Sequence, residues 1–101
     1  MKKVEYYQDL TSEDKMYVRL VHNRGKVLQF VVQYYALFGL KWRTIMRVDN
    51  YHGFAHKHIY YLHGREHRVL LNKDSNKAFT EAKTYISTEF EKIKENFVFS
   101  K

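Results

Sequence analysis

The sequence contains no cysteine and no proline among its 101 residues. Without cysteine the chain has no disulfide, no thiolate ligand for a metal and no cysteine nucleophile. Without proline, turns must be marked by other residues, and four glycines lie between apolar or alternating stretches where they mark turns. The absence of disulfides suits a reducing compartment, so we expect a cytoplasmic protein.

Long hydrophobic runs are also absent. The longest, Tyr34 to Leu40, is far shorter than the roughly 20 residues that a helix needs to cross a bilayer. The lysines that follow Met1 are not succeeded by an apolar stretch, so we expect neither a signal peptide nor a membrane partner.

Negative charge is scarce relative to positive charge, with 18 lysines and arginines against 11 acidic residues and a formal net charge of +7. Such a surplus favours an anionic partner such as nucleic acid or an acidic protein, although it also serves solubility alone. Hydrophobic residues make up 45% of the chain and aromatic residues 17%, which is enough for one folded domain over residues 1–101.

Alternating side chains predict an antiparallel meander sheet over residues 15–71. It consists of four to five strands, at residues 15–22, 27–38, 40–49, 56–62 and 66–71. Over residues 74–97, apolar side chains instead recur at helical spacing and predict one amphipathic helix. We expect residues 1–14 to be loosely ordered, because chain termini fray unless they are pinned. The predicted fold class is therefore α+β, with the C-terminal helix packed on one face of the sheet.

The predicted helix covers the apolar face of the sheet, which we expect to include Phe30, Tyr34 and Trp42. The opposite face would then carry Tyr17, Arg19, Gln29, Gln33, Lys41, Arg43, Arg47 and Asp49. A face of this kind can hold a nucleic-acid backbone, whereas a solvated sheet face with scattered charges is the simpler interpretation. We favour binding because cations outnumber acids there.

Residues 47–58, hereafter the histidine segment, bring together three of the six histidines, one carboxylate and two cations. The segment joins the third and fourth predicted strands, so we expect it at the rim of the sheet. Metal-free RNA cleavage requires a base, an acid and cations that stabilise the phosphate, and imidazoles suit the first two roles near neutral pH. The candidate catalytic residues are Arg47, Asp49, His52, His56 and His58. The candidate nucleic-acid-binding residues are Arg19, Lys41, Arg43, Tyr51, Phe54 and Lys57.

Two other interpretations of the histidines stay open. With Asp49 as a fourth ligand, His52, His56 and His58 have the donor types for Zn²⁺ or another transition metal. The neighbouring cations weigh against a bound dication, so we expect no metal and no other cofactor. Taken singly, each histidine is more often a surface or strand residue without a catalytic role.

The stretch Trp42-Arg43-x3-Arg47-x-Asp49-Asn50-x-His52-Gly53-Phe54-x-His56-x-His58 resembles the signature of the small TumE-type toxins of prokaryotic toxin–antitoxin modules and their uncharacterised relatives. Those proteins also carry a C-terminal helix after it. The resemblance implies a ribonuclease toxin that acts on RNA and is neutralised by a helix-turn-helix antitoxin, and it points to the same five catalytic candidates. Val48 and Ala55 depart from the family's pattern, which tends to have an aromatic residue and a proline there.

Two other classes of function remain as alternatives to an endoribonuclease. In one, the protein is a non-catalytic nucleic-acid-binding module and the histidines are bystanders. In the other, it is an interaction protein that forms a homodimer, since nine tyrosines and seven phenylalanines offer apolar area to bury. A cleavage assay separates the first from an enzyme, and sedimentation tests the second.

Overall fold

The computed structural model of the protein describes residues 1–51, 53–71 and 73–99. Its elements are β1 (Lys2–Thr11), β2 (Asp14–Asn23), β3 (Lys26–Phe38), β4 (Lys41–Asp49), β5 (His56–Tyr60), β6 (Glu66–Leu70) and α1 (Ser75–Phe99). The strands form one sheet in chain order, and every neighbouring pair is antiparallel. The expected α+β class, the antiparallel sheet and the single C-terminal helix are confirmed. The expected number of four to five strands is wrong, because the sheet has six.

The additional strand is β1, in the segment where we expected loose order. It pairs with β2 from Lys2 opposite His22 to Thr11 opposite Asp14. Most of its side chains are exposed on both faces, so its sequence shows little apolar alternation. The backbone ladder to β2 therefore orders this segment, and such pairing does not depend on a buried side-chain face.

Helix α1 packs on one face of the sheet and encloses the core with it. The helix contributes Ala78, Ala82, Ile86, Ile93 and Phe97, and the facing strands contribute Met16, Val18, Phe30, Val32, Tyr34 and Ala36. Aromatic rings meet edge to face between the two layers. The ring centroids of Phe30 and Phe79 are 5.7 Å apart, and those of Tyr34 and Phe90 are 6.2 Å apart. Burying each large side chain of this kind contributes about 1.5–3 kcal/mol, so the helix is held by packing. Among the described residues, no helix combines the length and the apolar character that crossing a bilayer requires.

Polar contacts define where α1 begins and how it sits against the strands. At its start, the Asp74 side chain accepts a hydrogen bond from the Lys77 amide at 2.9 Å, the geometry of an N-cap. The buried Asn50 side chain accepts from the Phe30 amide at 2.9 Å and donates to the Ser75 hydroxyl at 3.0 Å. Asn50 therefore ties the end of β4 to both β3 and the helix, and it fixes where the connection from β4 to β5 begins.

A bulge in β4 changes which of its side chains face the helix. Tyr34 lies opposite Met46, but Tyr35 lies opposite Thr44, so Ile45 is an extra residue in β4. Ile45 and Met46 are both buried, although they are neighbours in sequence. Because one inserted residue reverses the facing of a strand, the part of β4 before the bulge is turned over relative to the part after it.

The bulge makes three expected orientations wrong. Trp42, which we expected in the core, lies on the face opposite α1, where the Lys15 ammonium is 4.0 Å from its ring centroid. Arg43 lies on the helix side, with its guanidinium carbon 5.4 Å from the Phe97 ring centroid. Lys41 pairs with Phe38, whose ring is 5.6 Å from that of Phe97, so Lys41 also belongs to the helix side.

Candidate functional site

The candidate site lies on the sheet face opposite α1, hereafter the open face. One row of directly opposed residues crosses all six strands on it: Tyr7, Tyr17, Gln33, Arg47, His58 and Arg68. The adjoining row consists of Glu5, Arg19, Val31, Asp49, His56 and Leu70. Opposed residues of an antiparallel pair share a face, so the open face brings together Arg47, Asp49, His56 and His58 at its β4–β5 junction.

Asp49 is the centre of the hydrogen bonds at this junction, and its side chain is only 5% exposed. It accepts from Arg47 Nε at 2.8 Å and from the Tyr51 amide at 3.1 Å. His58 Nε2 lies 3.3 Å from the same carboxylate. A carboxylate so well buried is stable as an anion only when charges and donors surround it, and these groups supply both.

His58 is held from its other ring nitrogen by a residue of the next strand. Its Nδ1 lies 2.7 Å from Glu66 Oε2, which also accepts from Arg68 Nε at 3.2 Å. The hydrogen bond from His58, followed by that from Arg68, holds the pKa of Glu66 below its ordinary value. Glu66 is therefore an anion at neutral pH, and an anionic carboxylate only accepts, so His58 Nδ1 carries the proton. The Nε2 contact with Asp49 has ion-pair length without hydrogen-bond alignment, so the Nε2 position is not committed to Asp49.

His56 has a different hydrogen-bond environment from its neighbour. Its Nδ1 lies 2.9 Å from the carbonyl oxygen of Phe54, which can only accept, so Nδ1 is the donor. In the neutral ring the lone pair then resides on Nε2, the position that a proton acceptor needs. The ring centroids of His56 and His58 are 6.4 Å apart on the open face, so one ligand group can reach both imidazoles.

Aromatic rings flank these polar groups. The Tyr51 hydroxyl accepts from Arg19 at 3.2 Å, and the guanidinium carbon of Arg47 lies 5.3 Å from the Tyr51 ring centroid. The Tyr60 ring is nearly parallel to that of His58, at 11° and 6.4 Å. Burial, with a further contribution from Glu66, raises the pKa of Tyr60, so this hydroxyl stays protonated at neutral pH. The rings limit the movement of Arg47 and His58.

The other candidates are distributed as follows. Arg19 and Tyr51 lie on the open face, where they contact each other. Phe54 is 67% exposed in the connection between β4 and β5. Lys57 was expected to add charge to the site, and this is wrong, because its ammonium lies on the helix side, 5.7 Å from the Tyr85 ring centroid. His52 lies outside the described residues.

Glu66 belongs to the site although it was not among the residues predicted from the sequence. The fourth predicted strand extended to residue 62, whereas β5 ends at Tyr60, and Tyr60 lies opposite Glu66. The connection 61–65 is thus longer than the predicted turn, and this register places Glu66 diagonally next to His58. A carboxylate opening a strand beside a histidine-rich strand was the available signal, but only the register makes it specific.

The described residues give little support to the metal interpretation. Asp49 and Glu66 approach opposite nitrogens of the His58 ring, so their oxygens do not converge on one point. Within residues 1–51, 53–71 and 73–99, no three His, Asp or Glu side chains are grouped as ligands for one ion. The Asp49–His58–Glu66 arrangement instead suits proton chemistry, in which carboxylates orient an imidazole.

The fold and the site together define an α+β domain with a six-stranded antiparallel meander and an arginine–histidine–carboxylate cluster on its open face. The chain belongs to the family described as a domain of unknown function, DUF7718, whose model matches residues 1–100. No curated protein and no solved structure matches the chain. The resemblance of the histidine segment to TumE-type toxins therefore stays a prediction.

Proposed function

We propose that this protein is an RNA-cleaving enzyme that works without a metal, using the two open-face histidines for opposite proton transfers. The observation that carries the proposal is the contrast between neighbouring imidazoles. His56 Nδ1 faces a backbone carbonyl, whereas His58 Nδ1 faces an anionic carboxylate. A pair of imidazoles in different environments is what separate acid and base roles require.

His56 is the proposed base. Its Nε2 lone pair takes the proton of a ribose 2′-hydroxyl, and the 2′-oxygen then forms a bond to the adjacent phosphorus. The Phe54 carbonyl stabilises the resulting imidazolium, because Nδ1–H already points at it across 2.9 Å.

His58 is the proposed acid. The carboxylates of Asp49 and Glu66 lie beside its two ring nitrogens, and in the doubly protonated ring Nε2–H donates to the leaving 5′-oxygen. The bond from phosphorus to the 5′-oxygen breaks, and the products are a 2′,3′-cyclic phosphate and a 5′-hydroxyl. A neutral His58 and a protonated His56 remain, and a proton transfer through solvent restores the starting state.

Arg47 is the proposed phosphate-binding group. Its Nε is used by Asp49, and its side chain is 32% exposed, so the terminal nitrogens remain available to a phosphate oxygen. A guanidinium fixed in this way is oriented before the substrate arrives, which is the arrangement that stabilises charge developing in a transition state. Asp49 is a positioning residue, since it acts through Arg47 and His58.

The resemblance to TumE-type toxins supports a narrower version of the same proposal. In that version the ribonuclease is a toxin of the cytoplasm, and a helix-turn-helix antitoxin covers the open face to neutralise it. This version is supported if expression of the protein stops cell growth and co-expression of an antitoxin from a neighbouring gene restores it. If expression of the protein alone does not slow growth, the toxin role is rejected, and the ribonuclease activity is then tested directly on RNA.

A second candidate function is a binding module without catalysis. It is favoured by one observation: Arg47, His58 and Arg68 all contact carboxylates, an arrangement that also serves a static surface. Product analysis separates the two functions. Purified protein in excess chelator is incubated with end-labelled single-stranded RNA. Products ending in 2′,3′-cyclic phosphate support the enzyme, and intact RNA bound to the protein supports the module.

A further inference from the structure

Three aromatic rings surround one lysine on the open face, in the four strands that precede the histidine-bearing β5. The Lys15 ammonium lies 4.0 Å from the Trp42 ring centroid, 5.2 Å from that of Tyr7 and 5.8 Å from that of Tyr35. We call Tyr7, Lys15, Tyr35 and Trp42 the aromatic platform. It exists because the bulge at Ile45 turns Trp42 out of the core.

The platform is accessible and is not needed to fill the core. Tyr7 is 60% exposed and Trp42 is 37% exposed. Tyr7 also leans against Tyr17, with centroids 4.9 Å apart, which holds its ring in place on the edge strand. Exposed rings interleaved with a cation offer an unpaired base a stacking partner and its phosphate a counter-charge, the combination used by proteins that bind single strands.

The platform lies beside the row of opposed residues that leads to the histidines. Lys15 and Tyr35 lie opposite each other in the adjoining row of the open face, and Trp42 lies opposite Leu37, one row further. Tyr7 in β1 and His58 in β5 belong to the same row of opposed residues. Four spacings of about 4.8 Å separate these strands, so the row measures roughly 19 Å. A single-stranded RNA that rises at least ~3.4 Å per nucleotide covers this distance in about six nucleotides or fewer. Arg47 lies between the two ends, and its side chain is 32% exposed, so it can contact the RNA backbone.

We infer that the ligand of the open face is single-stranded RNA, bound across the strands with unpaired bases stacked on the aromatic platform. This inference rests on the proposed function in taking RNA as the substrate class, and it adds a binding subsite for bases upstream or downstream of the cleaved phosphodiester. A base displaces the Lys15 ammonium from the Trp42 ring, and the lysine turns to the phosphate. Double-stranded RNA is excluded from the platform, because its bases are stacked on one another and present no free ring face.

Trp42 reports on this subsite directly, because it is the single tryptophan of the chain. The probe is a 12-nucleotide 2′-O-methyl RNA, which has no 2′-hydroxyl nucleophile and so separates binding from cleavage. We expect the single strand to quench Trp42 emission and to bind at least tenfold more tightly than the same oligonucleotide in a duplex. Equal affinity for both forms, or binding without any change in Trp42 emission, overturns the inference.

The platform is tested further by matched variants. We expect Tyr7→Ala to weaken binding of the single strand at least fivefold, and Tyr85→Ala, which removes an exposed tyrosine from the helix, to leave it unchanged. Likewise Lys15→Ala should weaken binding and reduce its salt dependence, whereas Lys92→Ala on the exposed side of α1 should not. Equal effects within either pair contradict a dedicated platform.

The proposed cleavage and the proposed subsite fail separately. Binding with this pattern but without cleavage of ordinary RNA would contradict only the catalytic proposal. Cleavage by a protein whose platform variants bind RNA as tightly as wild type would contradict only this inference.

Discussion

The imidazole of His58 joins two strands through its hydrogen bond to Glu66, at 2.7 Å between Nδ1 and Oε2. The same ring faces Asp49 of β4 from its other nitrogen. One histidine thus connects carboxylates of two different strands, and its orientation is set by both. Such an imidazole keeps one ring orientation, which is what a proton donor in a catalytic site requires.

Replacing Glu66 by glutamine tests this relationship through pH. Hydrogen bonding to His58 lowers the pKa of Glu66 from 4.5 in the folded protein, so the ionised carboxylate stabilises the fold above the unfolded pKa. This stability is lost as the pH falls through the lowered folded pKa. We expect wild type to have a higher thermal midpoint than Glu66→Gln at pH 6–7, and the difference to shrink in acid below about pH 4.5.

The matched control for this titration is Glu89→Gln, an exposed helix residue that loses the same charge. Its midpoint should follow that of wild type at every pH. The account of Glu66 fails if its variant and the control behave alike. In the cleavage assay, Glu66→Gln should be slower by about tenfold and should shift the alkaline limb of the pH–rate profile, which reports loss of the proton from the acid His58 and which a merely structural change would not move.

Asp49 gives a second prediction, on stability. Asp49→Asn keeps the size of the side chain but removes the charge that Arg47 and His58 face in a nearly buried position. We expect a loss of about 1–3 kcal/mol in the free energy of unfolding by urea, because Arg47 keeps its charge without its partner. Adding Arg47→Gln should recover part of this loss in a double-mutant cycle. Additive losses would show that the two side chains do not interact.

A third prediction concerns the bulge in β4. Since Trp42 is 37% exposed on the open face, its fluorescence in wild type should be quenched by acrylamide and should respond to Lys15→Ala, which removes the cation over the ring. Deleting Ile45 would return Trp42 to the helix side and shield it from the quencher. A tryptophan already shielded in wild type would contradict the facing described for the first half of β4.

Much of the fold follows from sequence periodicity, and the exceptions have identifiable physical causes. The apolar side chains at alternate positions of β3 and at helical spacing in α1 are those that pack in the core between the two layers, so both elements were predictable. Strand β1 is paired but mostly exposed, and exposure removes the alternation that marks a strand. The bulge at Ile45 could not be predicted from the sequence, because Ile45 and Met46 are both apolar and either could face the helix. The bulge reverses the facing of Trp42 and Arg43.

The candidate site was predictable in part for the same reasons. Simple alternation gave Arg47 and Asp49 one common face and His56 and His58 one common face, but it left open which face of the sheet the second pair occupies. The register of β4 with β5 brings the two pairs together on the open face. The same alternation places Lys57 on the face opposite to His56 and His58, which is the helix side. We nevertheless included it among the binding candidates because of its positive charge. Glu66 depends on the register of β5 with β6, which is set by the length of a turn that the sequence did not define.

The most direct test of the central claim is a single-turnover comparison of wild type with His56→Ala on a defined single-stranded RNA in excess chelator. The account predicts cleavage by wild type, to a 2′,3′-cyclic phosphate and a 5′-hydroxyl, and a rate at least ~100-fold lower for His56→Ala with unchanged affinity and fold. RNA left intact by excess wild-type protein, or cut equally fast by the variant, would contradict it.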